Sequence, residues 1–386
     1  MNEIFLTFFF ISLLLFLLGT GVWVALSMIA VSAIGMMLFT TRPVGDAMAT
    51  TIWGTSSSWT LTALPLFVWM GEILFRTKLS ENLFKGLSPW LSKLPGGLIH
   101  VNVVGCGLFA AISGSSAATV ATVGKMSIPE LRKRKYPEKI LLGSLAGSGT
   151  LGLLIPPSII LIIYGVTIED SIAKLFMAGI LPGIMLAIIF MLYVVVWSIL
   201  NKNLMPKISE NYSFLEKIKK SKQLLPVVLL IVSVIGSIYA GIATATEAAS
   251  LGVIGALILS LFQGTLNKKS FQLSLLGATK TSCMIAFILA GSTFLSLAMG
   301  FTGLPRNLAI WIQELNLSPY MLIFILTIFY IILGMFLDGI SAVVLTMAII
   351  EPMIRQAGFD MIWFGIYLVI VVEMAQITPP VGFNLF

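Results

Sequence analysis

Four short segments interrupt apolar stretches of this chain with residues that could bind ions or a carboxylate. They are ISGSSA (112–117) and GSGTLGLLIPP (147–157) in the first half, and LDGIS (337–341) and QITPPVG (376–382) in the second. Proline removes an amide donor and glycine loosens a helix, so carbonyls and amides are freed at these points. Carbonyl and hydroxyl oxygens are hard ligands that suit sodium, and helix N-termini suit a carboxylate.

Freed backbone groups are tolerated inside a membrane only where they line a cavity or bind something. Corresponding breaks in both halves of a chain therefore indicate a ligand site near the middle of the bilayer. The alternative is that the glycines only allow close helix packing, and the matched pattern of four segments argues against it.

Several acidic residues lie in or beside apolar stretches, where a charge is costly. Asp338, at the turn of the second hairpin, is the best candidate for a sodium ligand or a gating contact; the alternative is an aspartate that only forms a turn. Glu72 and Glu373 lie near predicted helix ends, where they could serve a site, extend to the membrane surface or pair with a basic residue. Glu247 fits the acid of a capping box at a helix start.

The chain has one histidine, His100, and two cysteines far apart in apolar sequence. These numbers give no support to a Ser/His/Asp triad, an HExxH zinc site or a disulfide framework. His100 and the cysteines are predicted to be structural. GSGTLG (147–152) matches the GxGxxG pattern, but it lies inside a predicted spanning helix and not after a strand. We therefore predict no cofactor, no transition metal and no enzymatic activity.

The elements that position these segments are apolar helices. Hydrophobic residues make up 58% of the chain and charged residues only 10%, whereas soluble domains carry about 25% charged residues. The chain must therefore lie mostly in lipid, where long apolar runs are helical. The predicted runs are 4–18, 22–39, 60–75, 98–123, 138–164, 174–200, 224–240, 246–263, 281–300, 318–336, 342–354 and 361–375. The first run lacks the basic start and cleavage site of a signal peptide, so we expect it to be retained.

Basic residues cluster in four loops, within 76–93, 129–137, 201–223 and 268–269. Positive loops face the cytoplasm, so the net charge of +7 indicates membrane topology and not nucleic-acid binding. All four loops can be cytoplasmic only if the run 98–123 enters the membrane and returns without crossing it. That run is therefore predicted to be a re-entrant hairpin.

The second half repeats the plan of the first. The amphipathic segment 82–94 resembles 307–315, Ser113-Gly114 corresponds to Asp338-Gly339, and the proline pairs 156–157 and 379–380 correspond. Counting spans places the second hairpin on the opposite side of the membrane. Two similar units of opposite orientation are typical of inverted-repeat transporters. The predicted fold is an all-α polytopic membrane protein with two re-entrant hairpins and two broken helices.

The motifs resemble those of the large membrane subunit of tripartite ATP-independent periplasmic (TRAP) transporters. The resemblance rests on five segments in the family's order, ISGSSAATVATVG (112–124), LIPPSIILIIYG (154–165), SIAKLFMAGILPG (171–183), GIATATEAASLG (241–252) and ITPPVGFNLF (377–386). It implies an elevator mechanism in the bacterial inner membrane, with sodium as the coupling ion. It also implies three partners: a small four-helix membrane subunit, a periplasmic substrate-binding protein and a small carboxylate substrate.

Matching positions carry the family's sites onto this chain. The implied sodium-binding residues are Ser113, Gly114, Ser115, Gly147, Ser148, Gly149, Asp338, Gly339, Ser341, Thr378 and Pro379. The residues implied for the substrate are Ser116, Thr150, Pro156 and Gln376. The mobile parts are expected to be 96–165 and 318–386. The scaffold and its arms are expected at 1–95, 166–280 and 281–317.

Two further expectations concern the whole assembly. Family members generally continue beyond the last motif, so we expect the second broken helix to be incomplete at Phe386. Apart from the TRAP permease, a stand-alone sodium/dicarboxylate symporter with the same hairpins would fit the pattern. A passive channel fits less well, because its polar lining would be continuous and not confined to two turns and two breaks.

Overall fold

A computed structural model describes residues 3–77, 79–206, 212–303, 318–379 and 382. Over these ranges the chain forms helices and connecting turns, with no strand. The helices are α1 Glu3–Gly19, α2 Val24–Phe39, α3 Val44–Ser56, α4 Ala63–Phe75, α5 Leu79–Leu91, α6 His100–Ser113, α7 Ser116–Lys133, α8 Glu138–Gly149, α9 Leu151–Leu154, α10 Ile159–Thr167, α11 Ile172–Leu200, α12 Phe214–Ser221, α13 Leu225–Tyr239, α14 Ala245–Phe262, α15 Lys268–Thr302, α16 Pro319–Gly334, α17 Gly339–Gln356 and α18 Met361–Gln376. Short 3-10 turns cover Trp59–Thr62, Gly97–Ile99 and Lys202–Leu204.

Five helical segments within the described ranges are long and apolar enough to cross a membrane, and there are up to seven if two bent pairs each count as one span. They differ in how far they are covered by the rest of the protein. In the most apolar stretch of α8–α10, 89% of the residues are buried, against 17% in α11. The broken segment therefore lies at the centre of the molecule, and α11 presents most of its surface to lipid.

The helices pack in two groups. In one group α15 packs against α2, α3 and α4, while α14 packs against α4 and α13. In the other, α6 packs against α7, α8 and α9, and α18 packs against α16, α17 and α11. The groups meet where α4 contacts α6 and α10, and where α15 contacts α17. Both predicted turns, the break at Pro156 and the end of α18, where the second break is predicted to begin, lie in the second group.

The predicted hairpin run 98–123 forms α6 and α7, which pack against each other and continue to Lys133. A second hairpin is formed by α16 and α17. The predicted arm 82–94 contains most of α5, whereas its counterpart 307–315 lies outside the described residues. The inverted relation of the two halves and the re-entrant path of the hairpins stay predictions.

Candidate functional site

The turn of the first hairpin is built around Gly114. This glycine ends α6 in the left-handed conformation, with φ of 59°, and its N–H donates to the carbonyl of Ala110. A Cβ at this position would lie 2.6 Å from the carbonyl oxygen of Pro157. Because both the backbone angle and the space require glycine, Gly114 lets the turn approach the proline pair closely.

Hydroxyl groups stabilise the residues that follow this turn. The Oγ of Ser115 accepts a hydrogen bond from the N–H of Ala118 at the start of α7, which satisfies one of the free amides of the first helical turn. The Oγ of Ser113 lies 2.9 Å from Oγ1 of Thr119, and that threonine also donates to the carbonyl of Ser115 at 2.7 Å. The turn therefore concentrates side-chain and backbone oxygens within a few ångströms.

The first broken helix contacts the hairpin at its break. α9 ends at Leu154 and α10 begins at Ile159, with Pro156 in the extended segment between them. The Oγ of Ser158 accepts from the N–H of Leu161, which caps α10. The N–H of Ile159 donates to the carbonyl of Gly114 at 3.3 Å. The break and the hairpin turn therefore form one hydrogen-bonded unit.

Asp338 forms the turn of the second hairpin. It is the N-cap of α17, and its Oδ2 accepts from the N–H of Ser341 at 3.1 Å. The alternative to ion binding was an aspartate that only forms the turn, and in the structure Asp338 does have a local role, as an N-cap. Asp338 also lines the cavity described below, so its carboxylate is available to a ligand there.

Gln376 connects the two hairpin turns. Its side chain is buried at the end of α18. Its Oε1 accepts a hydrogen bond from the Oγ of Ser116 at 3.2 Å. Its Nε2 lies so close to Gly339 that a Cβ there would be only 2.2 Å away. One amide therefore contacts the start of α7 and the start of α17, although these are more than 200 residues apart.

The two turns face a common cavity of about 1420 Å³. The first turns of α7 and α17 both contribute to its wall, and each of these helices is 18 residues long. Two helix N-termini, which carry partial positive charge, therefore border one space. The predicted residues on its wall are Ser113, Ser115, Ser116, Asp338, Gly339, Ser341 and Gln376.

Another part of the cavity wall carries charge from α4 and α15. Glu72 is paired with Arg76 at 2.5 Å, so the pairing alternative for this acid is present in the structure. Lys280 also lines the cavity and is exposed. It has no carboxylate partner among the residues that the structure describes. Lys280 was not among the predicted site residues, because a single lysine just before the predicted apolar run 281–300 gives no sequence signal of a cavity.

Other predicted site residues lie away from this cavity. Gly147, Ser148 and Gly149 stay within the regular helix α8, and Thr150 directly follows it. Gly149 packs tightly on Val120, so its close-packing role is evident. The remaining four are Gly114, which forms the first turn without lining the cavity, Pro156, at the first break, and Thr378 and Pro379, which follow α18. Thr119 was missed by sequence reasoning, although it lies one turn after Ser115 in the same motif.

Three further predictions concern single residues. Glu247 forms the predicted capping box, because its carboxylate accepts from the N–H of Thr244 at 2.8 Å. His100 is buried, and its Nε2 lies 2.8 Å from the carbonyl of Pro95, as a structural role requires. Glu373 is only 2% exposed. The prediction that it could extend to the membrane surface is wrong, because α18 packs on several neighbouring helices.

The chemistry available at the site is that of oxygen ligands and helix N-termini. No group of three or more His, Cys, Asp or Glu residues comes together within the described part of the chain. Hydroxyl, carbonyl and carboxylate oxygens suit a hard cation such as sodium, and not a soft metal. Amides and hydroxyls at two helix starts suit an anion.

The helical fold with several apolar spans, together with a largely apolar cavity to which two hairpin turns bring polar groups, indicates a multi-pass membrane transport protein. The family model described as "Tripartite ATP-independent periplasmic transporter, DctM component" matches residues 10–386. The chain belongs to this family, whose members are the large permease subunits of TRAP transporters.

Several relatives are similar over most of the chain. The C4-dicarboxylate TRAP transporter large permease protein DctM of Pseudomonas aeruginosa is 34% identical over 92% of this chain and 82% of its own length. The sialic acid TRAP transporter large permease protein SiaM of Vibrio cholerae is 30% identical, over 96% and 86%. The isethionate TRAP transporter permease protein DctMQ of Oleidesulfovibrio alaskensis is 31% identical, over 88% and 54%.

Proposed function

We propose that this chain couples the downhill entry of sodium to the uptake of a small organic carboxylate. A periplasmic binding protein delivers the substrate, and a small four-helix membrane subunit completes the permease. The observation that carries the proposal is the shared cavity, because two helix N-termini, several hydroxyls and Asp338 face it together.

The anion part of the proposal rests on the two helix starts. Each N-terminus stabilises a nearby negative charge by about 0.3–1 kcal/mol at the surface and up to about 2 kcal/mol when partly buried. Two of them at one cavity, at about 0.3–1 kcal/mol each, would raise carboxylate affinity by about 3- to 30-fold. The names of relatives that carry a C4-dicarboxylate and a sialic acid agree with an acidic substrate.

The cation part rests on the oxygen donors of the turns. Ser113, Ser115 and Thr119 bring hydroxyls together at the first turn, and Asp338 brings a carboxylate to the second. Sodium bound at either turn would order the backbone that forms the carboxylate site. Binding shifts the protein between its states only by the difference in sodium affinity between them, so sodium and substrate are coupled through the same turns.

The packing in two groups supports the proposed elevator step. The turns, the break at Pro156 and Gln376 all belong to the group that contains α6–α10 and α16–α18. Movement of that group against α4 and α15 would carry the site across the bilayer as one body. Gly71 of α4 lies at this boundary, since a Cβ there would be 3.2 Å from the carbonyl oxygen of Ile112. A small residue at this point allows the hairpin to slide past the helix.

The cavity points to the state that the structure represents. Glu72 and Phe75 line the cavity, and they lie near Arg76 at the start of a basic loop. Lys280, in the first half of α15, also lines it. Basic loops are cytoplasmic. The proposed state is therefore the one from which the substrate is released into the cytoplasm.

The proposal is tested by uptake into proteoliposomes that contain this chain and its small membrane subunit. We expect saturable uptake of a carboxylate that requires both a sodium gradient and the binding protein. The relative named DctMQ extends well beyond the region that this chain matches, which supports the need for a second membrane component. Uptake without the binding protein would identify a stand-alone symporter instead. Uptake that neither saturates nor depends on sodium would identify a channel and refute the proposal.

A further inference from the structure

One surface outside the transport cavity combines exposed apolar side chains with a cluster of lysines. It is formed by α12, which precedes the span α13. Phe214 is 67% exposed, Leu215 is 77% exposed and Ile218 is 41% exposed. At helical spacing these three side chains share one face, so α12 presents a continuous apolar strip that the described residues do not cover.

Lysines surround this apolar strip. Four of them, Lys217, Lys219, Lys220 and Lys222, occur within six residues, and Glu216 is the only acid among them. The carboxylate of Glu216 is used locally, because it accepts from the N–H of Ser213 at the helix start. None of the four lysines has a carboxylate partner among the described residues. The segment therefore carries a net charge of +3 that no carboxylate in the described part of the chain neutralises.

The orientation of α12 is held by contacts with α5. Trp90 of α5 donates from Nε1 to the Oγ of Ser221 at 2.6 Å, and its ring packs edge-on against Phe214. The ammonium of Lys217 lies 5.3 Å from the centre of the same ring. α12 is bent by 59° from α13, so it does not continue the span. A helix bent by this much from a membrane span does not cross the bilayer with it, which leaves room for α12 to lie along the bilayer surface.

We infer that α12 is an anchor for anionic phospholipids of the cytoplasmic leaflet. A helix with one apolar face and flanking lysines binds in the plane of the membrane interface. The apolar strip enters the boundary between headgroups and acyl chains, while the lysines contact phosphates. Each lysine near such a surface strengthens binding by about fivefold at moderate salt. The anchor would hold α5 and the start of α13 at a defined depth while the hairpin group moves.

The test uses the whole chain in vesicles of phosphatidylcholine alone or mixed with an equal part of phosphatidylglycerol. A nitroxide is attached at Leu215→Cys in a Cys283→Ser background, and its collisions with oxygen and with a water-soluble nickel complex are compared. We expect label 215 to be oxygen-accessible and shielded from nickel in the mixed vesicles. A label at Gln223→Cys, in the turn after α12, should stay accessible to nickel.

Charge variants distinguish lipid binding by α12 from a general attraction of the basic protein to anionic lipid. Lys219→Gln with Lys220→Gln should lower the ratio of membrane-bound to free α12 by about 25-fold. The matched control is Lys268→Gln with Lys269→Gln, which removes two adjacent lysines elsewhere and should have no effect. The inference is overturned if the label at 215 is accessible to nickel in both kinds of vesicle. It is also overturned if the label is shielded from both oxygen and nickel, as in a contact with protein, or if it inserts equally well without phosphatidylglycerol.

Discussion

The contact between Ser116 and Gln376 gives the sharpest test of the proposed site. It joins the start of α7 to the end of α18 by a buried hydrogen bond of 3.2 Å. A neutral hydrogen bond of this kind contributes about 0.5–1.5 kcal/mol, and its length places it in the lower part of that range. If sodium binding requires the two turns to be held together, loss of this bond should raise the sodium concentration for half-maximal uptake by about 2- to 5-fold.

A double-mutant cycle isolates the bond from other effects. Ser116→Ala, Gln376→Leu and the double variant are compared by the sodium dependence of uptake, with Gln376→Leu chosen because it keeps most of the side-chain volume. Once one partner is lost, the other contributes less, so the two effects should fall short of additivity by about 0.5–1 kcal/mol.

Folding must be controlled in the same set of proteins. The midpoint temperature of thermal unfolding, measured in detergent with saturating sodium, should fall by only a few degrees for each variant, because one hydrogen bond is lost. If the effects on sodium dependence add to within about 0.3 kcal/mol, the two side chains act independently and the bridging role of Gln376 is refuted.

Three further predictions follow from the same cavity. Gly339→Ala should reduce uptake by at least tenfold, because its Cβ would collide with a buried amide, whereas Gly143→Ala, which has open space around it, should leave uptake unchanged. Equal effects of the two would contradict the packing. Lys280→Gln should weaken carboxylate uptake by about 2- to 5-fold, more for a dianion than for a monoanion; a charge-independent loss would speak against an electrostatic role. Cys283 is exposed at the cavity and Cys106 is buried, so an impermeant maleimide should label the chain in inside-out vesicles; labelling only from the periplasmic side would reverse the assigned orientation.

Local features of the site were predictable because they depend on neighbours in the chain. The helix break at Pro156 and the left-handed turn at Gly114 follow from the backbone limits of proline and glycine. The cap at Asp338 and the capping box of Glu247 follow from side chains that reach amides three residues away. Hydrophobicity located the apolar helices for the same reason, since it is a property of each segment.

The glycines of α8 show that residue type alone does not predict where a helix is interrupted. Gly147 and Gly149 were grouped with the prolines as a source of free backbone groups, yet they stay helical. The cost of glycine in a helix is about 1 kcal/mol, and close packing can offset it. Gly149 against Val120 and Gly152 against Ser116 are such contacts. Packing does not offset the cost of a proline in the same way, because its ring excludes the helical hydrogen bond.

The sequence by itself determined that the chain is an apolar helical membrane protein with two interrupted regions of similar kind. Only the tertiary structure decided which interruptions meet. Gln376 reaches Ser116 and Gly339, and Lys280 faces the same cavity, because packing of separate helices brings them together. Contacts between residues far apart in the chain depend on the summed packing of all helices, and no single segment encodes them.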